Sequence, residues 1–487
     1  MTLVLGLDIG STSTKAVLVD VADDVIVLHV ARASTPTDAV ELVATTAALL
    51  RACVSAANRP IAALGIASMA ESGAALGADG TPLTPLLRWD RPVDPRHLDD
   101  LLARHPDLPS RTGLPATTKP AAVALAALRR ENTEVFTAVR HWAGVADLVA
   151  HALTDVRATD HTLAARTMLA GGRGDAWDAA VLDTVGIDVR ILPELRAPGE
   201  PVAVTSDAAE AFGLGRGIPV YIAGHDHAVG AWAAGVRTPG AVADSLGTAE
   251  AVVRVTDDLN ATAGAGRDAS ASRRRETSGI TARAVADGFA IGRTVDGSAL
   301  TILGGSRACG AMLEWWDGAH DGDGVRARLA SLPADPWPAT SMTVLPYPSG
   351  RQCPVPHPGA RVAVRGAAAD PTTRARAVLE GLVFQARWMR ETIDALAGSP
   401  ARDVTVLGSL ADRIPAWAPL TAAAGTPAFR AATTEPVAAG AALLAAVRAG
   451  AASDTVSLAR EAVAPAQAPH LDHAYRRFLH AATEGDS

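Results

Sequence analysis

Lysine is almost missing from this chain: among 487 residues only Lys15 and Lys119 occur, against an ample supply of arginine. Aromatic residues are scarce as well, 4% against 48% hydrophobic, so the interior has to be filled by Ala, Val and Leu rather than by rings. Cys53, Cys309 and Cys353 stand far apart without metal-ligand spacing, which implies no cysteine-held zinc site and no disulfide framework and suits reduced thiols. No apolar run reaches the roughly eighteen residues that a membrane helix needs. The net charge of −8 argues against a nucleic-acid partner, because phosphate backbones are gripped by clustered Lys and Arg. The compact basic run Arg273–Arg275 sits in a polar, Gly-rich stretch, residues 257 to 280, that reads as a surface loop. The first residues enter an apolar strand with no basic leader before it, so the expectation is a cytoplasmic protein with no membrane partner. The length suggests two or three domains.

What is present gathers in a few short stretches. Leu3 to Gly10 reads as a buried strand, Ser11-Thr12-Ser13-Thr14-Lys15 as a turn, and Ala16 to Asp20 and Val25 to Leu28 as further hairpin strands, with the turn at one sheet edge. Gly10 lets backbone approach an anion, hydroxyls and N–H groups satisfy phosphate oxygens, and Asp8 can hold a hydrated Mg²⁺. The Gly-Lys-Ser/Thr of a P-loop and the helix-opening GxGxxG are both missing, which excludes Walker and Rossmann sites. Downstream, Ile218 to Ala223 reads as a strand that delivers Gly224-His225-Asp226-His227, so Asp226 emerges at a strand end; a solvated polar loop is the plain alternative. Ser245-Leu246-Gly247-Thr248-Ala249 then repeats the order strand, hydroxyl-rich turn, strand between Asp244 and Arg254, which places a domain boundary near residue 237.

The segment Asp8-Ile9-Gly10-Ser11-Thr12-Ser13-Thr14-Lys15 resembles the first phosphate motif of the actin, Hsp70 and sugar-kinase superfamily, and Asp226 with its flanking glycines resembles the FGGY carbohydrate kinases. The resemblance covers nearly the whole chain. It implies an α/β fold of two actin-like (ribonuclease H-like) lobes, residues 1–237 and 238–487, flanking a nucleotide and sugar cleft. It further implies ATP and Mg²⁺ as cofactors, with Asp226 as general base and Asp8 as the metal residue. Gly10, Ser11, Thr12, Ser13 and Lys15 would hold the nucleotide from one lobe, and Gly247, Thr248, Gly408 and Ser409 from the other. Met69, Glu71, Trp89, Asp226 and His227 would meet a small sugar or polyol. Ala70 stands where the glycerol-kinase branch has arginine, which turns the expectation from glycerol toward a ketopentose such as xylulose.

Arg166, in the family-like segment Thr159 to Leu169, is expected to buttress the fold, and residues 437 to 449 to form an Ala-rich packing helix behind Glu435. Val202 to Leu214 is expected as a short helix, and His320 to Gly324 as a turn. An actin- or Hsp70-like switch and a sugar-binding regulator without turnover remain open as alternatives, as does a homodimer.

Overall fold

The computed structural model describes residues 2–257, 280–320, 322, 324–368 and 370–484. The Arg273–Arg275 run and nearly all of the stretch read as a surface loop lie outside the described residues, as do Asp321 and Asp323. The described residues form two compact units. The first comprises Met1–Gly235, Ile291–Leu300 and Thr433–Ala459; the second comprises Val236–Ala290, Thr301–Ala432 and Arg460–Ser487.

In the first unit, Thr2–Ile9 (β1), Ser13–Val21 (β2), Val25–Ser34 (β3), Ile61–Ser68 (β4), Ala203–Val204 (β5) and Pro219–His225 (β6) make a six-stranded sheet in the order β3-β2-β1-β4-β6-β5. β1 runs antiparallel to β2 and parallel to β4, and β4 runs parallel to β6. The turn after β1 therefore opens at the end of an interior strand and not at a sheet edge, which corrects the expectation. The segment 202–214 also differs from the expected helix. Ala203 and Val204 pair with Val220 and Pro219 at the sheet edge, and only Asp207–Phe212 coils, as a 3₁₀ turn capped by Ser206.

Alternation along β1 decides which helix covers which face. Leu3, Leu5, Leu7 and Ile9 join Leu42 and Leu50 of the helix Ala39–Ser55, whose Asp38 cap accepts from the N–H groups of Val40 and Glu41. Val4, on the other face, packs with the alanines of the helix Pro436–Arg448. On that face the approach is too close for a side chain. A Cβ on Gly6 would lie 2.0 Å from the Ala438 carbonyl oxygen, and one on Gly65 would lie 1.9 Å from that of Ala441. Gly440 meets the neighbouring helix Asp226–Ala233 as closely, 2.5 Å from the Ala233 Cβ. An interior poor in rings is filled here by backbone brought near backbone. Arg448, at the end of this helix, donates to the carbonyls of Ile222 and Val295 and so ties residues 291–300 to the same sheet.

In the second unit, Ala241–Leu246 (β7), Glu250–Thr256 (β8), Leu300–Ser306 (β9), Asp403–Leu407 (β10), Ala428–Ala431 (β11) and Arg460–Val463 (β12) are neighbours in the order β9-β8-β7-β10-β11-β12. β7 is antiparallel to β8 and parallel to β10, and β10 is parallel to β11. This repeats the plan of the first sheet, hairpin followed by parallel strands, and the two units share one architecture. Among the described residues no helix is long and apolar enough to cross a membrane.

Candidate active site

The first unit gathers its charged residues at the ends of β1, β4 and β6. Asp8 faces Lys15 across the β1–β2 register, and Lys15 Nζ lies 2.9 Å from Asp8 Oδ2 and 3.6 Å from Glu435 Oε2. Glu435 also pairs with Arg32 at 2.7 Å. Burial opposes the charge on Lys15, yet the carboxylates of Asp8, Glu435 and Asp226 together hold its pKa above the ordinary value. The loop between is closed by Gly10 N–H on Ser13 O at 3.2 Å, and Thr35 Oγ1 donates to Gly10 O at 2.7 Å. Ser13 spends its hydroxyl on Ala33 O, at 3.3 Å, so within the loop this side chain serves the sheet. Arg88, which the sequence did not single out, donates from Nη1 to Ser11 O at 2.8 Å and is held bidentately by Asp90.

At the end of β6, His225 caps the helix Asp226–Ala233, which puts Asp226 on its first turn. Asp226 Oδ1 accepts from the His227 N–H at 2.7 Å and lies 3.2 Å from His225 Nε2 and 3.9 Å from His227 Nε2. Burial raises the Asp226 pKa, with Asp8 adding to it, while His227 and Lys15 act in the opposite sense. Burial holds His225 well below the usual imidazole value and keeps it neutral, with His227 and Arg166 adding their charges.

At the end of β4 the backbone turns sharply. Glu71 adopts φ +61°, a conformation that a non-glycine residue rarely holds without a reason nearby. Its carboxylate accepts from Arg166 Nη2 at 2.7 Å. The guanidinium of Arg166, expected to buttress the fold, stands beside Glu71 and acts on His225, and its Nε has no protein partner. A guanidinium thus reaches this place from a different part of the chain, although position 70 itself is a buried alanine. Sequence spacing gave no signal for it, because 95 residues separate the pair. Trp89 donates its backbone N–H to Ser72 Oγ, and the Lys119 ammonium lies 5.1 Å over its ring. Ser68, Met69, Ala70, Glu71 and Trp142 line a narrow recess with about 20 Å³ of room for the centre of a water-sized group. At its wall Asp147, buried, accepts from the Gly144 N–H, leaves Oδ1 without a protein partner, and has its pKa pushed up to about 7 by burial.

In the second unit, Gly310 and Ala311 N–H groups, at the start of the helix Cys309–Ala319, donate to the carbonyls of Gly247 and Thr248. The turn is thereby fixed by its oxygens, and also from within, since the Gly247 N–H donates to Ala249 O at 2.9 Å. Gly408 follows β10 with φ +102°, and a Cβ there would lie 2.4 Å from Leu246 O, so the glycine is required where β10 passes the turn. Ser409 opens the short helix that follows. Under the turn, Asp244, Glu250 and Arg390 are all buried; burial pushes Asp244 up to about 6, with Arg390 and the Glu250 hydrogen bond acting in the opposite sense, and burial together with Asp244 raises Glu250 well above the usual carboxyl value.

Against known proteins, the profile of the FGGY family of carbohydrate kinases, N-terminal domain, matches residues 3–233, and that of the family's C-terminal domain matches residues 233–449. The chain belongs to the FGGY family. A xylulose kinase of Streptomyces rubiginosus is 30% identical over 264 residues, 52% of this chain and 54% of the relative. An L-fuculokinase of Escherichia coli K12 is 26% identical over 180 residues, 36% of this chain and 38% of the relative. The chain thus matches about half or less of the length of these curated relatives. Among solved structures, a xylulose-type kinase from Brucella ovis superposes with a TM-score of 0.84 at 21% identity over 100% of both chains. A gluconate kinase from Lactobacillus acidophilus gives 0.80 at 18%, over 99% of this chain and 98% of the other. At such identities the FGGY fold is shared and the acceptor is not thereby given.

Proposed function

We propose that this FGGY protein transfers the γ-phosphoryl group of ATP to a hydroxyl of a small sugar, with a ketopentose such as xylulose as acceptor. The observation that carries this reading is the grouping of Asp8, Lys15 and Asp226 at one end of the first unit's sheet, each acting electrostatically on another. Asp226 takes the proton of the attacking hydroxyl; its raised pKa makes it a better acceptor of that proton than an exposed carboxylate. His225, neutral, and the His227 N–H hold the carboxylate in place. Gly10, Ser11, Thr12 and Lys15 receive phosphate oxygens in the first unit, and Gly247, Thr248, Gly408 and Ser409 hold the nucleotide in the second. Asp8 fits a hydrated Mg²⁺, since Lys15 engages one carboxylate oxygen and Glu435 supplies further negative charge. Such an ion neutralises phosphate charge when bound.

For the acceptor, Glu71 and Arg166 offer a carboxylate and a guanidinium to hydroxyls, and the Trp89 ring a surface for the carbon chain. With Arg166 in this place, a missing arginine at position 70 no longer argues against glycerol. The ketose assignment is supported instead by the named xylulose kinases among the relatives and by the number of polar groups to be satisfied. Steady-state phosphorylation of xylulose, fuculose, gluconate and glycerol with ATP and Mg²⁺ tests it. We expect kcat/KM for the best ketose to exceed that for glycerol by at least about a hundredfold, roughly two hydrogen bonds' worth. Comparable efficiency on glycerol overturns the acceptor, and no turnover on any sugar overturns the kinase reading.

A further inference from the structure

We propose that His225, Asp226 and His227 form a site for one transition-metal dication of the zinc, cobalt or nickel type, separate from the Mg²⁺ that accompanies a nucleotide. One ligand atom from each of the three residues lies within 4.8 Å of the other two. Asp226 Oδ1 sits in the middle, 3.2 Å from His225 Nε2 and 3.9 Å from His227 Nε2, and the imidazoles stand nearly perpendicular, at 87°. Tetrahedral N/O ligands at about 2.0–2.1 Å from a metal lie about 3.3 Å from one another, so His225 and Asp226 already have the separation and only His227 has to move inward. The donor set is two imidazoles and one carboxylate. It suits the later first-row dications and not Mg²⁺, which takes oxygen ligands in octahedral geometry.

The surrounding charge permits a cation. The positive groups that act on this trio are Lys15 and Arg166. Neither is uncompensated, because Lys15 is paired with Asp8 and Glu435 and Arg166 with Glu71. Asp8 adds a further negative charge acting on Asp226. His225 is buried, and Asp226 and His227 are partly open, which leaves a fourth position for water or for an acceptor hydroxyl. A metal held here occupies Asp226 Oδ1. If Asp226 is the base, as proposed above, the same ion stops turnover, so zinc acts as a reversible off-signal on a magnesium-dependent reaction.

The site is tested with Co²⁺ alone, on the full chain without nucleotide, by calorimetry and visible absorption. We expect one Co²⁺ per chain, with d–d bands of N/O ligation that Zn²⁺ abolishes by displacement. His227→Gln should weaken binding at least about tenfold, and Asp226→Asn should weaken it likewise while preserving the size of the side chain. His29→Gln, on β3 and remote in sequence, should leave it unchanged. No Co²⁺ uptake, or uptake indifferent to both substitutions, overturns the site. Tight Co²⁺ binding through these residues combined with uninhibited sugar phosphorylation leaves the site standing and overturns Asp226 as base, so the two readings fail separately.

Discussion

The hairpins that open the two units share a plan and differ in what they do with charge. In the first, Asp8 and Lys15 pair across the strands, Lys15 keeps a quarter of its side-chain surface exposed, and Glu435 and Asp226 act on it from other elements. In the second, the carboxyls at the same end of the hairpin, Asp244 and Glu250, are 0% and 2% exposed and share their space with Arg390. Asp8 is itself only 5% exposed, so the partly open group of the first hairpin is the Lys15 ammonium that it holds. The buried pair answers mainly to its neighbours, Asp244 to Arg390 and Glu250, and Glu250 to Asp244 and Arg390. One topology therefore holds a carboxylate–ammonium pair in the first unit and two buried carboxyls beside an arginine in the second.

The contrast breaks most visibly at Asp226. Replacing it by alanine should lower kcat by about 10²–10⁴-fold while leaving nucleotide affinity nearly intact, as steady-state rates and fluorescent-ADP titration would show. A variant retaining half its rate would place the base elsewhere.

Asp147 tests whether burial, and not the hairpin, sets carboxyl behaviour, since it lies in the first unit yet is buried like the second unit's pair. Its folded pKa of about 7 lies above the ordinary carboxyl value, so its neutral form is favoured in the folded state. Stability from this group is full below the unfolded pKa and is lost as pH rises toward 7, at up to about 1.4 kcal/mol per pH unit. Denaturant unfolding from pH 4 to pH 8 should show this slope in the wild type and lose it in Asp147→Asn; parallel curves would contradict the assignment.

Packing gives a third contrast. Gly65→Val in the first unit drives a side chain into the Ala441 carbonyl and should destabilise by about 1–3 kcal/mol. Gly305→Ala in the second unit meets nothing closer than 3.5 Å and should change the melting temperature little. Equal losses would mean that the glycine–alanine contact is not what holds the first sheet to its helix.

The smallest effect sharpens the comparison of the hairpins directly. Asp8→Asn should raise the Mg²⁺ concentration for half-maximal rate roughly tenfold, about the worth of one charged hydrogen bond, whereas Asp244→Asn should shift stability and leave the Mg²⁺ titration in place. Identical titrations for wild type and Asp8→Asn would remove Asp8 from the metal's surroundings.

The sequence by itself marked several of the elements and the acidic strand ends, though not the edge strand at Ala203–Val204. Short apolar runs marked β1, β4 and β6, small hydroxyl-rich turns marked Gly10–Lys15 and Ser245–Ala249, and the Ala-rich run marked the helix at 436–448, because these signals are local and each residue's environment follows from its near neighbours. It did not determine which unit that helix serves. The helix follows the second unit's strands in sequence, yet completes the first unit's sheet, since only Gly6 and Gly65 leave room for its backbone. Nor did the sequence reveal that Arg166 meets Glu71, that Glu435 shares Lys15 with Asp8, or that Asp244 and Glu250 are buried together. Each of these pairings joins positions far apart in the chain or depends on what covers them, and burial and long-range proximity exist only once the chain has folded.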